Sequence, residues 1–417
     1  MSDSGNKKLK IFNDPVYGFI RIPDDSIMEL IETPIFQRLR MIKQLGLSHL
    51  VYPGALHTRF QHAMGSMYLM QQAIEVLRSK GHDISSDEAL AATQAILLHD
   101  IGHGPFSHAL ENALVYDMNH EDLTLMFIEY LTEKMNFPLQ PALEIFRNGH
   151  PKKFLHQLVS GQLDMDRLDY LHRDSFFTGV SEGVISWDRI IKMLNISGDK
   201  LVIDEKGIYS IEKFIIARRL MYWQVYLHKT VIAAENTLQN IMKRAKMLAL
   251  SGKELFATPP FRHFLYNKFN KEDFICNSDL LEEFSLLDDY DIFSAIKTWT
   301  RNTDTILAYL CQSVVNRKLP RIKLQKNPFS QEEIEAVKDR VIKKYSIDNH
   351  SDADYFVNHG TTSNHAYDPG VANIMILSRD GSLSDLAEAS DQLNINALSR
   401  PVEKYFISYP KELGVII

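Results

Sequence analysis

Five residues that can bind metal ions or transfer protons are concentrated in residues 95–111, AILLHDIGHGPFSHALE. The segment starts with the pattern of an apolar helix, and glycines and a proline then interrupt regular helix and allow a tight turn. Three histidines and two acids in so short a stretch do not suit a packed core, whereas they suit a metal site with acid–base groups beside it. The five residues are His99, Asp100, His103, His108 and Glu111.

Two other segments carry chemistry of the same kind. In HTRFQH, residues 57–62, Arg59 and His62 are three apart and share one face of a helix. Residues 161–179, GQLDMDRLDYLHRDSFFTG, are rich in aspartates. An exposed charged helix is the simpler interpretation of the second segment, but its leucines and phenylalanines require burial. Buried carboxylates need metal ions or arginines as partners, so this segment is a candidate part of the same site.

The elements around these segments are predicted to be mainly helical. Apolar residues recur with helical spacing over 64–80 and 86–98, so each helix can present its histidine to a common centre. Residues 10–23 predict a short strand or hairpin, and residues 24–46 predict a helix pair whose second member begins at Pro34. For the second half we predict a hairpin over 200–210 with its turn at 206–207, an uninterrupted helix over 211–250, further helices to 317, a polar helix over 330–344, a loop over 359–370, and strands in NIMILS and KYFISYP.

Composition excludes some classes of protein. The chain of 417 residues has 45% hydrophobic and 24% charged residues, which is typical of a globular protein with a sizeable core. A net charge of −7 argues against nucleic-acid binding over the whole surface, although a local basic pocket leaves nucleic acid open as a partner. Two cysteines cannot form a disulfide framework, and we find neither a signal-peptide pattern nor a membrane-spanning run, so we expect a cytoplasmic protein without membrane contact.

These motifs occur in an order that resembles a known family. HTRFQH, then HDIGHGPFSH, then DMDRLDY is similar to the HD-domain deoxynucleoside triphosphate triphosphohydrolases, which include the catalytic core of the vertebrate SAM-and-HD-domain dNTPase and its bacterial relatives. IFNDPVYG, TPIFQRLRMIKQLG, YPGALHTRFQHAMG and VYLHK extend the resemblance over well more than half of the chain. It implies a mainly α fold: a helical HD-domain core over residues 1–318 and a smaller α+β C-terminal lobe over residues 319–417.

The resemblance also implies a metal site. Its ligands map onto His62, His99, Asp100 and Asp166. Two imidazoles and two carboxylates suit one divalent transition metal ion, namely Fe, Mn, Ni or Zn, and accept Mg²⁺ less well. In addition to that ion, the prediction leaves open a Mg²⁺ ion that binds together with the substrate phosphates.

Roles for other residues follow from the same resemblance. The catalytic group is predicted to be His103, His108, Glu111 and His120. In this assignment His108 and Glu111 form a histidine–carboxylate pair beside the attacked phosphate, with Glu111 where relatives often have aspartate, and His120 is the general acid. The substrate-binding group is predicted to be Gln44, Leu45, Arg59, Arg167, Tyr170, Asp174, Arg218 and Tyr226. In this assignment His103 and the arginines hold phosphate oxygens. Tyr170, Asp174 and Gln44 border the sugar, Tyr226 packs near the sugar or base, and Leu45 crowds a 2′-hydroxyl.

Regulation is a further implication. Some relatives bind an activating guanine nucleotide between subunits, at positions that correspond here to Lys10, Ile11, Asn13, Glu32, Gln37 and Arg40. The resemblance therefore predicts an activating nucleotide and a homo-oligomer, either a tetramer or a dimer. Glu32 replaces the usual aspartate, and the simpler interpretation of the polar face with Gln37 and Arg40 is a solvated surface.

Together these features predict an enzyme that hydrolyses dNTPs to deoxynucleoside and inorganic triphosphate in a metal-dependent reaction. Two alternatives stay open. The same metal site could serve a phosphodiesterase or nuclease acting on DNA ends, and the fold could serve a nucleotide-sensing scaffold with little turnover. Product analysis distinguishes the three.

Overall fold

The protein is described from a computed structural model that covers residues 10–111, 113–364, 373–390 and 401–415. The side chain of His108 lies outside this description, as does His365. Within these ranges no helix combines the length and the apolar character needed to cross a bilayer.

The chain is mainly helical, as the sequence predicts. The helices are α1 Asp25–Glu32, α2 Pro34–Gln37, α3 Arg59–Ser79, α4 Ser86–Leu98, α5 His120–Lys134, α6 Gln140–Phe146, α7 Lys153–Val159, α8 Met165–Thr178, α9 Trp187–Met193, α10 Ile208–Met221, α11 Lys229–Leu250, α12 Pro259–Leu265, α13 Lys271–Cys276, α14 Ser278–Phe284, α15 Asp289–Trp299, α16 Thr305–Val315, α17 Gln331–Tyr345 and α18 Leu386–Ala389.

The strands are short and form small sheets. They are β1 Ile11–Asp14, β2 Gly18–Arg21, β3 Val115–Tyr116, β4 Leu194–Ser197, β5 Lys200–Asp204, β6 Phe269–Asn270, β7 Arg321–Gln325, β8 Asn358–Asn364, β9 Met375–Leu377, β10 Leu383–Asp385 and β11 Val402–Tyr409. β1 and β2 form the predicted N-terminal hairpin, and β3 pairs with β6. The other sheets have the orders β10-β9-β5-β4 and β7-β11-β8.

The centre of the molecule is the packing of α3 against α4 and α8. Local sequence fixes where these helices begin: the Gln61 side chain accepts from the backbone N–H of Thr58, and Ser85 and Glu88 form a capping box. Apolar side chains between the helices are fully buried, as at Leu69 and Ile96. Burial of this kind contributes roughly 25 cal/mol per Å² of apolar surface, so these contacts anchor the helices whose ends carry the histidines.

The C-terminal region is α+β and is joined to the helical core by strand pairing. β9 runs parallel to β5, with Ile376 opposite Ile203. Buried residues of both regions, such as Ile203, Val337 and Ile376, belong to one continuous apolar cluster. The boundary between residues 318 and 319 stays a prediction.

Three local predictions are wrong. The hairpin lies earlier than residues 200–210, because β4 and β5 turn at Gly198, which has a left-handed φ of 63°. The helix over 211–250 is interrupted by a π turn at Tyr222–Tyr226, which separates α10 from α11. The loop over 359–370 is a strand in its first part, since β8 extends to Asn364 and pairs with β11.

Candidate metal centre and catalytic cavity

Three of the four predicted metal ligands meet at the inner ends of α3, α4 and α8. His62 Nε2 lies 3.1 Å from His99 Nε2 and 3.1 Å from Asp166 Oδ1, and His99 Nε2 lies 3.5 Å from the same Asp166 oxygen. Among the described residues these three side chains form a group able to hold a metal ion. Asp166 is placed by Asp164, which caps α8 by accepting from the backbone N–H of Arg167 at 2.7 Å.

The histidines are oriented through their other ring nitrogens. His62 Nδ1 donates to Asp169 Oδ2 at 2.7 Å, and His99 Nδ1 donates to the carbonyl oxygen of Ile96 at 2.6 Å. Each imidazole therefore directs the lone pair of Nε2 to the common centre. Hydrogen bonding of the second nitrogen is how metal-binding histidines are usually fixed, so the donor set fits a divalent ion.

The partner of His62 is itself held in a buried ion network. Arg173 donates to both oxygens of Asp169, at 2.9 and 3.0 Å, and to Asp14 at 2.8 Å. Gly65 makes this possible, because a Cβ there would lie 2.0 Å from an Asp169 oxygen. The absence of a side chain on α3 thus lets α8 bring Asp169 against His62.

Asp100, the fourth predicted ligand, lies at the edge of this centre. Its Oδ1 is 3.5 Å from His99 Nε2, and its Oδ2 is 3.6 Å from His62 Nε2. Arg59 pairs with Asp100 and donates from Nε to Ser107 Oγ at 2.8 Å. The structure therefore places Asp100 between the metal donors and a buried arginine.

Charge in the centre favours a cation. Burial alone would lower the pKa of His62, but hydrogen bonds to the carboxylates of Asp166 and Asp169 raise it to about 10. Burial would raise the pKa of Asp166, and its hydrogen bonds to His62 and His99 instead hold it far below its usual range. Clustered carboxylates thus require positive charge, which a divalent ion supplies in place of a proton.

A cavity of about 480 Å³ opens beside these donors. Predicted residues on its wall are Gln44, Leu45, Arg59, Asp100, His103, His120, Asp166, Arg167, Tyr170, Asp174 and Tyr226. The volume lies in the usual range for small-molecule sites. The Oε1 atom of Gln44 is buried without a hydrogen-bond partner in the described part of the chain, so this wall has an acceptor to offer to a ligand.

The predicted proton-transfer group lies on another wall. His120 begins α5, and Glu111 Oε1 accepts from its backbone N–H at 2.9 Å and from its Nδ1 at 2.8 Å. The His103 and His120 rings are 3.9 Å apart, centroid to centroid. The sequence assigned the Glu111 carboxylate to His108, whose side chain is not described, and the structure shows it engaged by His120.

Gly102 has no side chain, and this lets α5 lie close to the turn that follows α4. A Cβ at Gly102 would lie 2.3 Å from both the His120 carbonyl oxygen and the Thr124 backbone nitrogen. The Thr124 hydroxyl donates to the His99 carbonyl oxygen at 3.1 Å and accepts from the Gly102 N–H at 3.0 Å. The turn after α4 therefore fixes His120 as well as His99.

The far wall is polar and rigid. Asp174 accepts from Tyr226 Oη at 2.8 Å through one oxygen, and its other oxygen is 2.7 Å from His57 Nε2. The π turn gives Tyr226 this position, because Leu227 N–H bonds back to the Tyr222 carbonyl oxygen at 2.7 Å. Single π turns inside helices are frequent at functional sites.

The two remaining predicted arginines differ in position. Arg167 lies on the cavity wall and pairs with Asp164. Arg218 is buried and donates to Gln162 Oε1 at 3.0 Å, and it is not among the residues that line the cavity in the described structure.

The predicted regulatory residues are only partly gathered. Asn13 and Arg40 line one separate cavity of about 320 Å³. The Arg40 guanidinium lies 3.5 Å from the Phe60 ring centroid, and its Nε donates to Gln37 Oε1 at 2.8 Å. Lys10, Ile11 and Glu32 are exposed residues nearby in the chain and do not line that cavity.

Sequence reasoning missed several residues of the site. His57, Ser107, Tyr222 and Glu235 were not assigned roles, although Ser107, Tyr222 and Glu235 line the cavity and His57 holds Asp174. Burial raises the pKa of Glu235 to about 7. The signal for Glu235 was present in VIAAENTL, where a single acid interrupts an apolar helical face.

Comparison with known proteins identifies HD-domain relatives of this chain. Residues 59–174 match the HD domain, and residues 185–255 match the HD associated region. The chain is 34% identical to the Bacillus subtilis protein YwfO, over 97% of this chain and 93% of that protein. It is 31% identical to the deoxynucleoside triphosphate triphosphohydrolase SAMHD1 homolog of Dictyostelium discoideum, over 54% of this chain but only 47% of that relative.

Solved structures are similar over nearly the whole chain. A phosphohydrolase from Bacteroides thetaiotaomicron superposes with a TM-score of 0.93 at 50% identity, covering 96% of this chain and 100% of that one. A protein from Aquifex aeolicus gives a TM-score of 0.72 at 28% identity, covering 97% of each chain.

Proposed function

This chain belongs to the HD-domain phosphohydrolase family, and from that premise we propose that it hydrolyses dNTPs to deoxynucleoside and inorganic triphosphate. The observation that carries the proposal is the cavity beside the His62/His99/Asp166 donors, which Asp166, two arginines and a polar wall line together. Similarity to a deoxynucleoside triphosphate triphosphohydrolase homolog, over about half of each chain, supports the choice of substrate.

His62, His99 and Asp166 would hold the divalent ion, with Asp100 at their edge. When bound, such an ion polarises a phosphate oxygen and lowers the pKa of a bound water toward about 7. Fe, Mn, Ni and Zn all suit this mixed nitrogen and oxygen donor set. Asp169 and the Ile96 carbonyl keep the imidazoles in the required tautomer.

Positive and hydrogen-bonding groups on the wall would position the triphosphate. Arg59, His103 and Arg167 face the space beside the metal donors. In the proposed reaction a water oxygen adds to the α-phosphorus and the bond from that phosphorus to the sugar O5′ breaks. Charge then shifts to O5′ and to the phosphate oxygens, which the arginines stabilise.

His120 is the proposed donor of the proton that O5′ needs. Glu111 holds its Nδ1, so Nε2 is the nitrogen that would deliver the proton. A positioned acid of this kind contributes on the order of 10²–10⁴-fold to rate.

The opposite wall would recognise the deoxyribose. Gln44 offers its unpartnered Oε1 to a sugar hydroxyl, and Leu45 would occupy the space of a 2′-hydroxyl. Tyr170, Asp174 and Tyr226 would complete the sugar-facing surface. Crowding a hydroxyl or leaving it unpaired costs about 1–3 kcal/mol, so ribonucleotides should react about 5- to 150-fold more slowly than deoxyribonucleotides.

An activating nucleotide and a homo-oligomer belong to the proposal as well. The support is the resemblance to enzymes regulated in this way, together with the shared cavity of Asn13 and Arg40. We expect the turnover of the native protein to depend sigmoidally on nucleotide concentration. Arg40→Ala should lose this dependence while its metal content stays unchanged. Hyperbolic kinetics of the native protein, unaltered by a second dNTP, together with normal activity and assembly of Arg40→Ala, would remove the regulatory part only.

The deciding experiment incubates metal-loaded protein with each dNTP, singly and mixed, and separates the products by chromatography. We expect deoxynucleoside and inorganic triphosphate in equal amounts. Mononucleotides released from single-stranded DNA, with intact dNTPs, would instead support the nuclease. Nucleotide binding without any product would support the sensor. Leu45→Gly, compared with the exposed control Leu56→Gly, should relax the preference of the enzyme for dGTP over GTP.

A further inference from the structure

A second cavity, separate from the catalytic one, lies against the later turns of α11. It has a volume of about 710 Å³, which is sufficient for a small-molecule ligand. Lys243 and Lys246 of α11 line it, and Lys268 and Tyr116 reach it from the segments around β6 and β3. Three ammonium groups therefore border one space.

Lys246 is the least usual of the three. Its side chain is only 5% exposed, and its Nζ donates to the Leu114 carbonyl oxygen at 3.0 Å and lies 4.5 Å from the centre of the Tyr116 ring. Burial and the nearby charge of Lys268 lower the pKa of Lys246 to about 8. A buried ammonium without an anion is costly, which indicates that an anion belongs beside it.

Local counter-charges do not meet this need. In the described ranges none of the three lysines forms an ion pair, whereas Lys271 nearby pairs with Asp122 at 2.8 Å. Glu111 borders the cavity, but its Oε1 accepts two hydrogen bonds from His120. A solvated surface would explain Lys243 and Lys268, and it does not explain Lys246.

Much of the rest of the wall is apolar, and part of it is open. Tyr116 is 36% exposed, Met247 is 40% exposed and Leu250 is 43% exposed. Apolar side chains beside lysines suit a ligand that has both a charged part and a flat or apolar part. Lysines act as point charges toward phosphate, so a polyphosphate is the anion that several of them match best.

We propose that this cavity is a binding site for a polyphosphate anion, held by Lys243, Lys246 and Lys268. The ligand is either inorganic triphosphate or the triphosphate of a nucleotide whose base lies on Tyr116. The site is distinct from the metal centre and from the predicted regulatory residues, and it does not depend on the catalytic proposal.

The test is acetylation of lysines by an N-hydroxysuccinimide ester, read at each lysine by peptide mass spectrometry. At a pH near the pKa of Lys246, about 8, millimolar inorganic triphosphate at constant ionic strength should slow acetylation of Lys246. About tenfold protection is expected for a charge-assisted contact. Unprotected Lys246 in the native protein would overturn the proposal.

Variants separate this site from the catalytic cavity. Lys243→Gln combined with Lys268→Gln should abolish protection of Lys246, while Lys192→Gln, which removes one exposed charge elsewhere, should leave it intact. Equal protection in the lysine double variant and in the native protein would refute the site. Thermal unfolding checks that each variant is folded.

A second arm identifies the source of the anion. A non-hydrolysable dNTP analogue is compared with inorganic triphosphate as the ligand that protects Lys246 from acetylation. If the analogue protects at a lower concentration, and if Tyr116→Ala removes this difference, the apolar wall binds a base. If the two ligands protect Lys246 half-maximally at equal concentrations, the site recognises the polyphosphate alone. Either result supports an anion site, and neither depends on turnover.

Discussion

The metal centre and the Glu111–His120 pair both combine imidazoles with carboxylates, but they are built differently. At the centre the His62 side chain is 0% exposed and that of His99 is 8% exposed, and their Nε2 atoms converge on Asp166. In the pair the side chains are 26% and 22% exposed, and a single carboxylate oxygen binds one histidine through Nδ1.

This difference separates two chemical tasks. Converging lone pairs, oriented from behind by hydrogen bonds, suit a cation that must stay in place. One imidazole held at one nitrogen, on the wall of a cavity, suits a proton that must move. We therefore propose different roles for the same residue types, according to which ring nitrogen is engaged and how many donors face one point.

The largest expected effect comes from removing the centre. His99→Ala combined with Asp100→Ala should abolish metal retention and lower turnover by on the order of 10³-fold or more, because the ion supplies several kcal/mol of charge stabilisation. Metal analysis after dialysis and an assay of triphosphate release measure this. The control is His82→Ala, because the native His82 imidazole is hydrogen-bonded to Asn195 away from the site. Full occupancy and activity in the double variant would contradict the assignment.

The next effect concerns the pair. His120→Ala should lower turnover about 10²–10³-fold through loss of the proton donor while metal content stays unchanged. Glu121→Gln, one residue further along α5, should have no such effect. If His120→Ala lost metal as completely as the double variant, the distinction between the two regions would fail.

A smaller effect tests how the centre is oriented. Asp169→Asn keeps an acceptor for His62 Nδ1 but removes the charge, and should weaken metal binding about 10–100-fold. Asp14→Asn is the matched control, because Asp14 contacts Arg173 without touching His62. Metal titration should show a weaker affinity in the first variant only. Equal affinities in both would reduce Asp169 to a structural ion-pair partner.

The smallest effect concerns Glu235, a third titratable group on the cavity wall. Burial raises its pKa from 4.5 to about 7, so between these values the folded protein keeps a proton that the unfolded chain has released. Stability should therefore fall as pH rises through this window, by about 1–2 kcal/mol after solvent screening of this partly buried group.

Denaturant unfolding of native protein and Glu235→Gln across that pH range measures the effect. The difference in unfolding free energy between the two proteins should change in the stated direction. A constant difference would show that Glu235 has an ordinary pKa, and would leave the Glu111–His120 pair as the group to examine in a pH–rate profile.

Local patterns determined much of the fold. Apolar spacing located α3 and α4, and strand and turn signals located the β1–β2 hairpin, because these depend on neighbours in the chain. They failed where distant contacts decide. No glycine or proline in the sequence indicates the π turn at Tyr222–Tyr226. β8 is a strand because β11 pairs with it.

The sequence by itself determined which chemistry is available, since the order of HTRFQH, HDIGHGPFSH and DMDRLDY named His62, His99 and Asp166. Only the tertiary structure decided how those groups are used. Three features depend on helices that are far apart in sequence and meet in the fold. They are the hydrogen bond of His62 to Asp169, the hydrogen bond of Glu111 to His120, and the burial of Lys246 beside other lysines. Hydrogen bonds and burial act between neighbours in space, and the packing of α3, α4, α8 and α11 determines which residues are neighbours.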